Sequence, residues 1–175
     1  MTAAARPNRA GRPATARRVP ATGGESWASS PAVRQRMQRQ QTRDTSAELA
    51  VRRILHRMGL RYRVDSPPMK GLRRRADVVF GPSKVAVFID GCFWHGCPDH
   101  GSRTTTANPD YWADKVAKNK ARDSDTDATL TAAGWSVIRA WEHEEAETVA
   151  RLVFAEVTSR RHLGRHDAKH SSAEA

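Results

Sequence analysis

Cys92, His95, Cys97 and His100 fall within nine residues, inside the stretch Asp90-Gly91-Cys92-Phe93-Trp94-His95-Gly96-Cys97-Pro98-Asp99-His100. Thiolate and imidazole are the ligands zinc favours, in a tetrahedron of four, and one short loop can supply several of them. Cys92, Cys97 and His100 suit three positions. The fourth must come from elsewhere, and His143, just past an apolar stretch ending at Trp141, is the candidate. Two buried free cysteines among ordinary histidines would leave the same letters, and His95 taken alone is a further candidate ligand. Cys92 and Cys97 are the only cysteines of the chain. Without an export signal ahead of them, such a pair reads as metal ligation before disulfide.

Other residues carry chemistry only in company. Asp77, alone, is a turn or solvated carboxylate. Arg73, Arg74 and Arg75, with Lys115 and Lys118, read either as phosphate contacts or as a solvated basic face. Phe93, Trp94 and Trp112 are core residues unless something marks them otherwise; Trp135 and Trp141 sit in an apolar strand pattern and are assigned to the core. The whole chain of 175 residues carries a formal charge of +11 and a pI near 10.7, which favours a polyanionic partner, nucleic acid before an acidic membrane surface. No apolar run approaches the roughly 20 residues of a membrane span, and residues 1–21 lack the apolar segment of a secretory signal, so the cytoplasm is the expected location.

The motif Gly91-Cys92-Phe93-Trp94-His95 with Cys97 resembles the hallmark of the very-short-patch-repair (Vsr) mismatch endonucleases. The similarity continues in order through Thr42-Arg43-Asp44-Thr45 with Glu48, Ala76-Asp77-Val78-Val79, Tyr111-Trp112, Lys118-Asn119 with Arg122-Asp123, Gly134-Trp135 and Trp141-Glu142, over about residues 25–155. The resemblance implies a restriction-endonuclease-like fold and a Mg²⁺-dependent enzyme that nicks one strand 5′ to the thymine of a T:G mismatch, starting repair of deaminated 5-methylcytosine. It assigns Asp77 to the catalytic magnesium, His95 to the general base, Asp123 to orienting that imidazole, and Glu48 to the metal's water shell. Cys92 and Cys97 match zinc ligands; His100 falls where spacing varies in the family, and His143 where its best-known member has Cys. Phe93, Trp94 and Trp112 match aromatics wedged into the DNA stack beside the mismatch, at a cost recovered through the bent duplex. Two positions depart from that member: Ile89 stands for Thr, where the contact is through a backbone carbonyl, and Asp90 stands for His, making Asp90 a site residue of open role. The implied partner is duplex DNA with a T:G mismatch, with other repair proteins as further candidates, for a monomer with no membrane contact. Two alternatives stay open: a restriction-like nuclease on matched or modified DNA, and a zinc-containing DNA-binding module without catalysis.

The elements that must position these residues can be read from periodicity. Thr45-Ser46-Ala47-Glu48 is a capping box, and Leu49, Val51, Ile54, Leu55 and Met58 form the apolar stripe of a helix that Gly59 can end. Strands are expected over 61–64, 76–80 and 84–90, the last two joined by Gly81-Pro82-Ser83. After a Cys/His-rich loop, Asp110 can cap a helix to about residue 133, kinked near 122–124, with Gly134 ending it; a strand over 135–141 and a helix over 144–160 complete the chain. The order α-β-β-β-α-β-α indicates one α/β domain with a mixed central sheet. Residues 1–25 have almost nothing to bury and read as a disordered basic arm. The endonuclease-like domain is 26–160, and 161–175 reads as a disordered tail.

Overall fold

The computed structural model describes residues 43–101 and 109–171, with side chains through residue 162; the basic arm over 1–25 lies outside the described residues. Thr45 sets where the first helix starts. Its hydroxyl accepts from the Glu48 N–H at 3.3 Å, and the Glu48 carboxylate accepts from the Asp44 N–H at 3.0 Å. Two N–H groups that have no partner inside the helix are thereby satisfied. The helix, α1 (Ser46–Arg57), stops at Met58, and Gly59 follows at φ +83°, a conformation that costs glycine little.

Four strands follow, the last three built on β-branched residues: β1 (Arg63–Ser66), β2 (Ala76–Phe80), β3 (Val85–Asp90) and β4 (Ser136–Trp141). They form one sheet in the order β1-β2-β3-β4. The first three run antiparallel, with Val64 opposite Val78 and Val78 opposite Val87. β4 lies parallel to β3, from Val85 opposite Ser136 to Asp90 opposite Trp141. A parallel neighbour needs a long crossover, and α3 (Pro109–Ala132) lies in it. Between β3 and α3 stands a single turn, α2 (Cys92–His95), and α4 (Ala146–Ser171) is the last element of the described residues.

The sheet is covered on both faces, which is why β2 and β3 are nearly unbroken apolar runs. On one face Val78, Phe80, Val85, Val87, Ile138 and Ala140 pack against Val51 and Leu55 of α1 and Val149, Val153 and Val157 of α4. On the other, Ala76, Val79, Ala86, Phe88 and Trp135 pack with Leu130 of α3. Each fully buried Val, Leu or Phe contributes about 1.5–3 kcal/mol of burial, so the sheet is the packed centre of the described residues. Strand alternation then sends Phe88 and Asp90 of β3, with Val137 and Arg139 of β4, toward the α3 side.

The expected mixed α/β sheet between helices is present, with several local differences. β1 lies at Arg63–Ser66 rather than 61–64, and the Cys/His loop contains the turn α2. Asp110 lies inside the first turn of α3, behind Pro109 at the first helical position, where a missing N–H costs nothing. α3 is one uninterrupted helix through 122–124: Thr126 and Thr129 turn their hydroxyls onto the carbonyls of Arg122 and Asp125 instead of breaking it. The α4 backbone continues past Arg160 to Ser171. Trp135 is core at 8% exposure. Trp141, also assigned to the core, is half-buried and lines a cleft instead, on the same side of β4 as Arg139.

Candidate active site and metal centre

The ends of β2 and β3 place the first carboxylate. Asp77 accepts the Ile89 N–H at 2.7 Å through Oδ2, tying β2 to the neighbouring strand. Burial raises its pKa from the usual 3.8 to about 6; the Ile89 hydrogen bond opposes that, while the charges of Glu48 and Asp90 add to it. Negative charge is thus concentrated where little water can compensate it, a setting that a hard divalent cation would relieve.

Glu48, expected near this centre, is 5% exposed. Both readings of it have a physical basis. It makes the capping contacts to Asp44 and Thr45, and its charge reaches Asp77. Arg52, one turn on, holds Glu48 Oε2 at 3.2 Å and Asp44 Oδ1 at 2.7 Å from a side chain that is itself 9% exposed. Sequence reasoning passed over Arg52, because a buried arginine on a helix looks like any solvated one.

His95 comes from α2, three residues after the zinc-ligand candidate Cys92. Its Nδ1 lies 2.6 Å from Asp123 Oδ2 on α3 and 3.6 Å from Asp90 Oδ1 at the end of β3. A hydrogen bond at Nδ1 leaves Nε2 as the free nitrogen of the neutral ring. Asp90 is paired: the Arg139 Nη1 group donates to both of its oxygens, at 2.9 and 2.8 Å. Arg139 also reaches Asp127 through Nε at 2.9 Å and Asp123 through Nη2 at 3.5 Å, and its guanidinium stacks over the Phe88 ring at 4.6 Å. Burial works against its charge, but the Asp127 and Asp90 hydrogen bonds more than offset that and push its pKa further up. Arg139 was not among the expected site residues. The available signal was one arginine inside an otherwise apolar strand pattern, Val137-Ile138-Arg139-Ala140-Trp141. Asp90, His95, Asp123, Asp127, Arg139 and Lys120 line a cleft of about 520 Å³.

The second cluster adjoins the first. Ligand-type atoms of Cys92, Cys97, His100 and His143 all lie within 4.8 Å of one another, with both sulfurs buried and both imidazoles at the surface. His143 Nδ1 is 3.1 Å from Cys92 Sγ and 3.7 Å from Cys97 Sγ. These distances bracket the roughly 3.5 Å edge of a tetrahedron built on zinc–sulfur and zinc–nitrogen bonds, so the donor set fits that ion. Burial, then the adjacent Cys97 thiol, pushes the Cys92 thiol up to about 11; a bound cation reverses such a shift. The loop can close because Gly96 sits at φ +62°, where a Cβ would meet Val116 Cγ1 at 2.7 Å. Glu142 fastens it from β4's end, accepting the Cys92 N–H at 2.8 Å.

The aromatic residues meet on the same side. Phe93 and Trp94 lie 5.0 Å apart, Phe93 and Trp112 5.1 Å, and Trp94 and Trp112 5.8 Å between ring centroids, all edge-on or tilted. Trp112 is 7% exposed and forms the floor of the group, while Phe93 and Trp94 are half-buried above it. Asn119 of α3 pins the backbone here, donating to the Trp94 carbonyl at 2.7 Å. The basic residues are more dispersed. Arg74 pairs with Asp125, Arg75 with Asp65 and Lys118 with Asp114, all at the surface; Arg73 and Lys115 are exposed.

The family described as DNA mismatch endonuclease Vsr matches residues 29–100. The type II nicking enzyme V.NaeI of Lentzea aerocolonigenes is 46% identical over 119 residues, 67% of this chain and 71% of that protein. The type II nicking enzyme V.XorIIP of Xanthomonas oryzae pv. oryzae is 38% identical over 111 residues, 62% of this chain and 77% of that protein. The DNA mismatch endonuclease Vsr of Escherichia coli K12 is 32% identical over 101 residues, covering 58% and 63% of the two chains. Among the described residues no helix is long and apolar enough to cross a membrane. With this similarity running through the strands and loops that carry Asp77, Cys92, His95 and Cys97, the chain belongs to the Vsr family of DNA endonucleases.

Proposed function

We propose that this protein is a Mg²⁺-dependent endonuclease that hydrolyses one phosphodiester in one strand of duplex DNA, on a restriction-endonuclease-like fold. The observation that carries the proposal is the His95–Asp123 contact of 2.6 Å, next to Asp90, whose charge reaches the half-buried Asp77. Asp123 accepts a hydrogen bond from Nδ1–H and fixes the ring, which leaves Nε2 as the base that removes a proton from the attacking water. Asp77 would hold the magnesium ion, with Glu48 near enough to accept from its water shell. When bound, the ion supplies charge stabilisation at the phosphate oxygens. Cys92, Cys97, His100 and His143 would hold zinc; four protein ligands leave no position for substrate, so its contribution is to stiffen the loop bearing His95. The exposed Arg73 and Lys115, with Arg74, Arg75 and Lys118 exchanging their surface carboxylates for phosphates, supply sequence-independent attraction.

Two readings of the substrate are supported by different observations. The names of V.NaeI and V.XorIIP state nicking and no mismatch, and they favour the restriction-like alternative, a nuclease acting on matched or modified duplex at a defined site. The Phe93-Trp94-Trp112 cluster and the family's description favour a T:G mismatch, where weakened stacking lowers the cost of inserting a ring. On that reading the nick falls 5′ to the thymine, leaves a 5′-phosphate and opens repair of deaminated 5-methylcytosine by a monomeric cytoplasmic enzyme. End-labelled duplexes carrying T:G, other mismatches or full pairing, incubated with Mg²⁺, separate the readings. A single-strand nick confined to T:G supports the mismatch enzyme. Equal nicking of the paired control supports the restriction-like one. Binding without cleavage of any duplex defeats the nuclease proposal and leaves a DNA-binding module.

A further inference from the structure

Three carboxylates, Asp90, Asp123 and Asp127, converge on one guanidinium, and one of them also holds the His95 imidazole. We propose that Arg139 is a positioning residue for the reaction: it withdraws Asp90 from His95 and thereby leaves the imidazole to Asp123. This inference rests on the nuclease reading given above.

The geometry of the competition is explicit. His95 Nδ1 has two carboxylates within reach, Asp123 Oδ2 at 2.6 Å and Asp90 Oδ1 at 3.6 Å. A ring can point one N–H at only one of them, and the choice sets where Nε2 points. Arg139 biases the choice by occupying both oxygens of Asp90. It reaches Asp123 only at 3.5 Å, on the oxygen that His95 does not use. Asp127, bound by Nε at 2.9 and 3.1 Å, and the Phe88 ring under the guanidinium hold Arg139 in this pose. A lysine cannot reproduce it, because one ammonium cannot face three acids in a plane. Asp90, His95 and Asp123 also form a set that could hold a metal ion. Arg139 already brings positive charge to this trio through Asp90, which suits carboxylates that orient a base.

Arg139 sits inside the described sheet, at a strand position that sends it to the α3 side, so its loss has two separable consequences. One is a stability loss that any buried ion network would show. The other is specific: Asp90, released, becomes a rival partner for His95, and removing its charge should then help.

The test is single-turnover and steady-state nicking, under Mg²⁺, of the duplex the wild-type protein cuts best. Folding is checked by melting and zinc content. Arg139→Met is expected to lower kcat by about 10–100-fold, the range seen when a partner orienting a catalytic group is lost, with KM changed less than about threefold. Arg139→Lys should fall in between. Asp90→Asn added to Arg139→Met should recover at least about fivefold of the lost kcat. A network that only stabilises the fold would give no such recovery. Folded Arg139→Met with kcat within threefold of wild type overturns the proposal, as does a double variant no faster than Arg139→Met. If Arg139→Met does not fold, Arg139→Lys with and without Asp90→Asn provides the same comparison. A wild-type protein that cuts no duplex would instead sink the nuclease reading itself.

Discussion

Replacing Asp77 by Asn should make the protein more stable while removing its activity. The carboxylate is half-buried and feels the charges of Glu48 and Asp90, and its pKa stands near 6 against 3.8 for an ordinary aspartate. That difference corresponds to about 3 kcal/mol of charge held at a disadvantage when the folded protein is ionised and metal-free. The sign follows from linkage. Below pH 3.8 the group is neutral in folded and unfolded chains alike and nothing is lost; as pH rises through about 6 the folded state loses the full amount. Asn keeps the shape and can still accept the Ile89 N–H, but carries no charge. About 3 kcal/mol is a ceiling, because a half-buried site relaxes and admits water; about 1–3 kcal/mol is expected, raising Tm by on the order of 5 °C at pH 8. Melting curves of wild type and Asp77→Asn in Mg²⁺-free buffer, without chelator so that zinc stays in place, provide the measurement. The gap should roughly halve by pH 5 and close near pH 4. Adding Mg²⁺ at pH 8 should raise the wild-type Tm and leave Asp77→Asn unmoved. An Asp77→Asn protein that melts at or below wild type at pH 8 would refute the reasoning, since the burial argument allows no other sign.

Other expectations concern neighbouring residues. Purified protein should contain about one zinc per chain, and Cys97→Ala should lose both that metal and much of the cooperative melt, as metal analysis and calorimetry would show; zinc-free wild type with an unchanged melt contradicts the ligand set. His95→Ala should nick about 10²–10⁴-fold more slowly while binding duplex DNA within a few-fold of wild type, and a normal single-turnover rate would remove it as the base. Trp94→Ala should reduce any T:G over T:A preference by more than it reduces affinity for fully paired duplex, measured on matched substrates; an unchanged ratio would assign the ring to packing alone.

What could be read from the letters depended on whether a pattern repeats. The capping box at Thr45 and Glu48, the β-branched run of β2 and the apolar stripe of α1 each repeat a local signal, and each lies where the pattern indicates. The turn α2 has four residues, too few to show a helical period, so it read as loop. The antiparallel and parallel pairings depend on contacts across the sheet that no local window contains. The Cys/His set was legible because few other uses need those residues at that spacing, and the structure draws His143 to it across a gap of 51 residues from Cys92. Arg139 and Arg52 were missed for the opposite reason. Arginine is common at surfaces, and only three-dimensional packing distinguishes one that joins buried acids. Asp90 differs from the family residue at its position, and only its pairing with Arg139 on β4 gives it a role.

The turn α2 has a further consequence. Within Cys92–His95 the first residue belongs to the metal cluster and the last is the proposed base. A helix so short has almost no stability of its own in water, so on the zinc reading the ion holds the cutting residue in place. A newly made or metal-starved chain would then be harmless to the genome: it would carry every residue the reaction needs, yet have its base out of position until zinc arrives. For an endonuclease, metal supply would on that reading act as a safety catch, set by the one turn that joins Cys92 to His95.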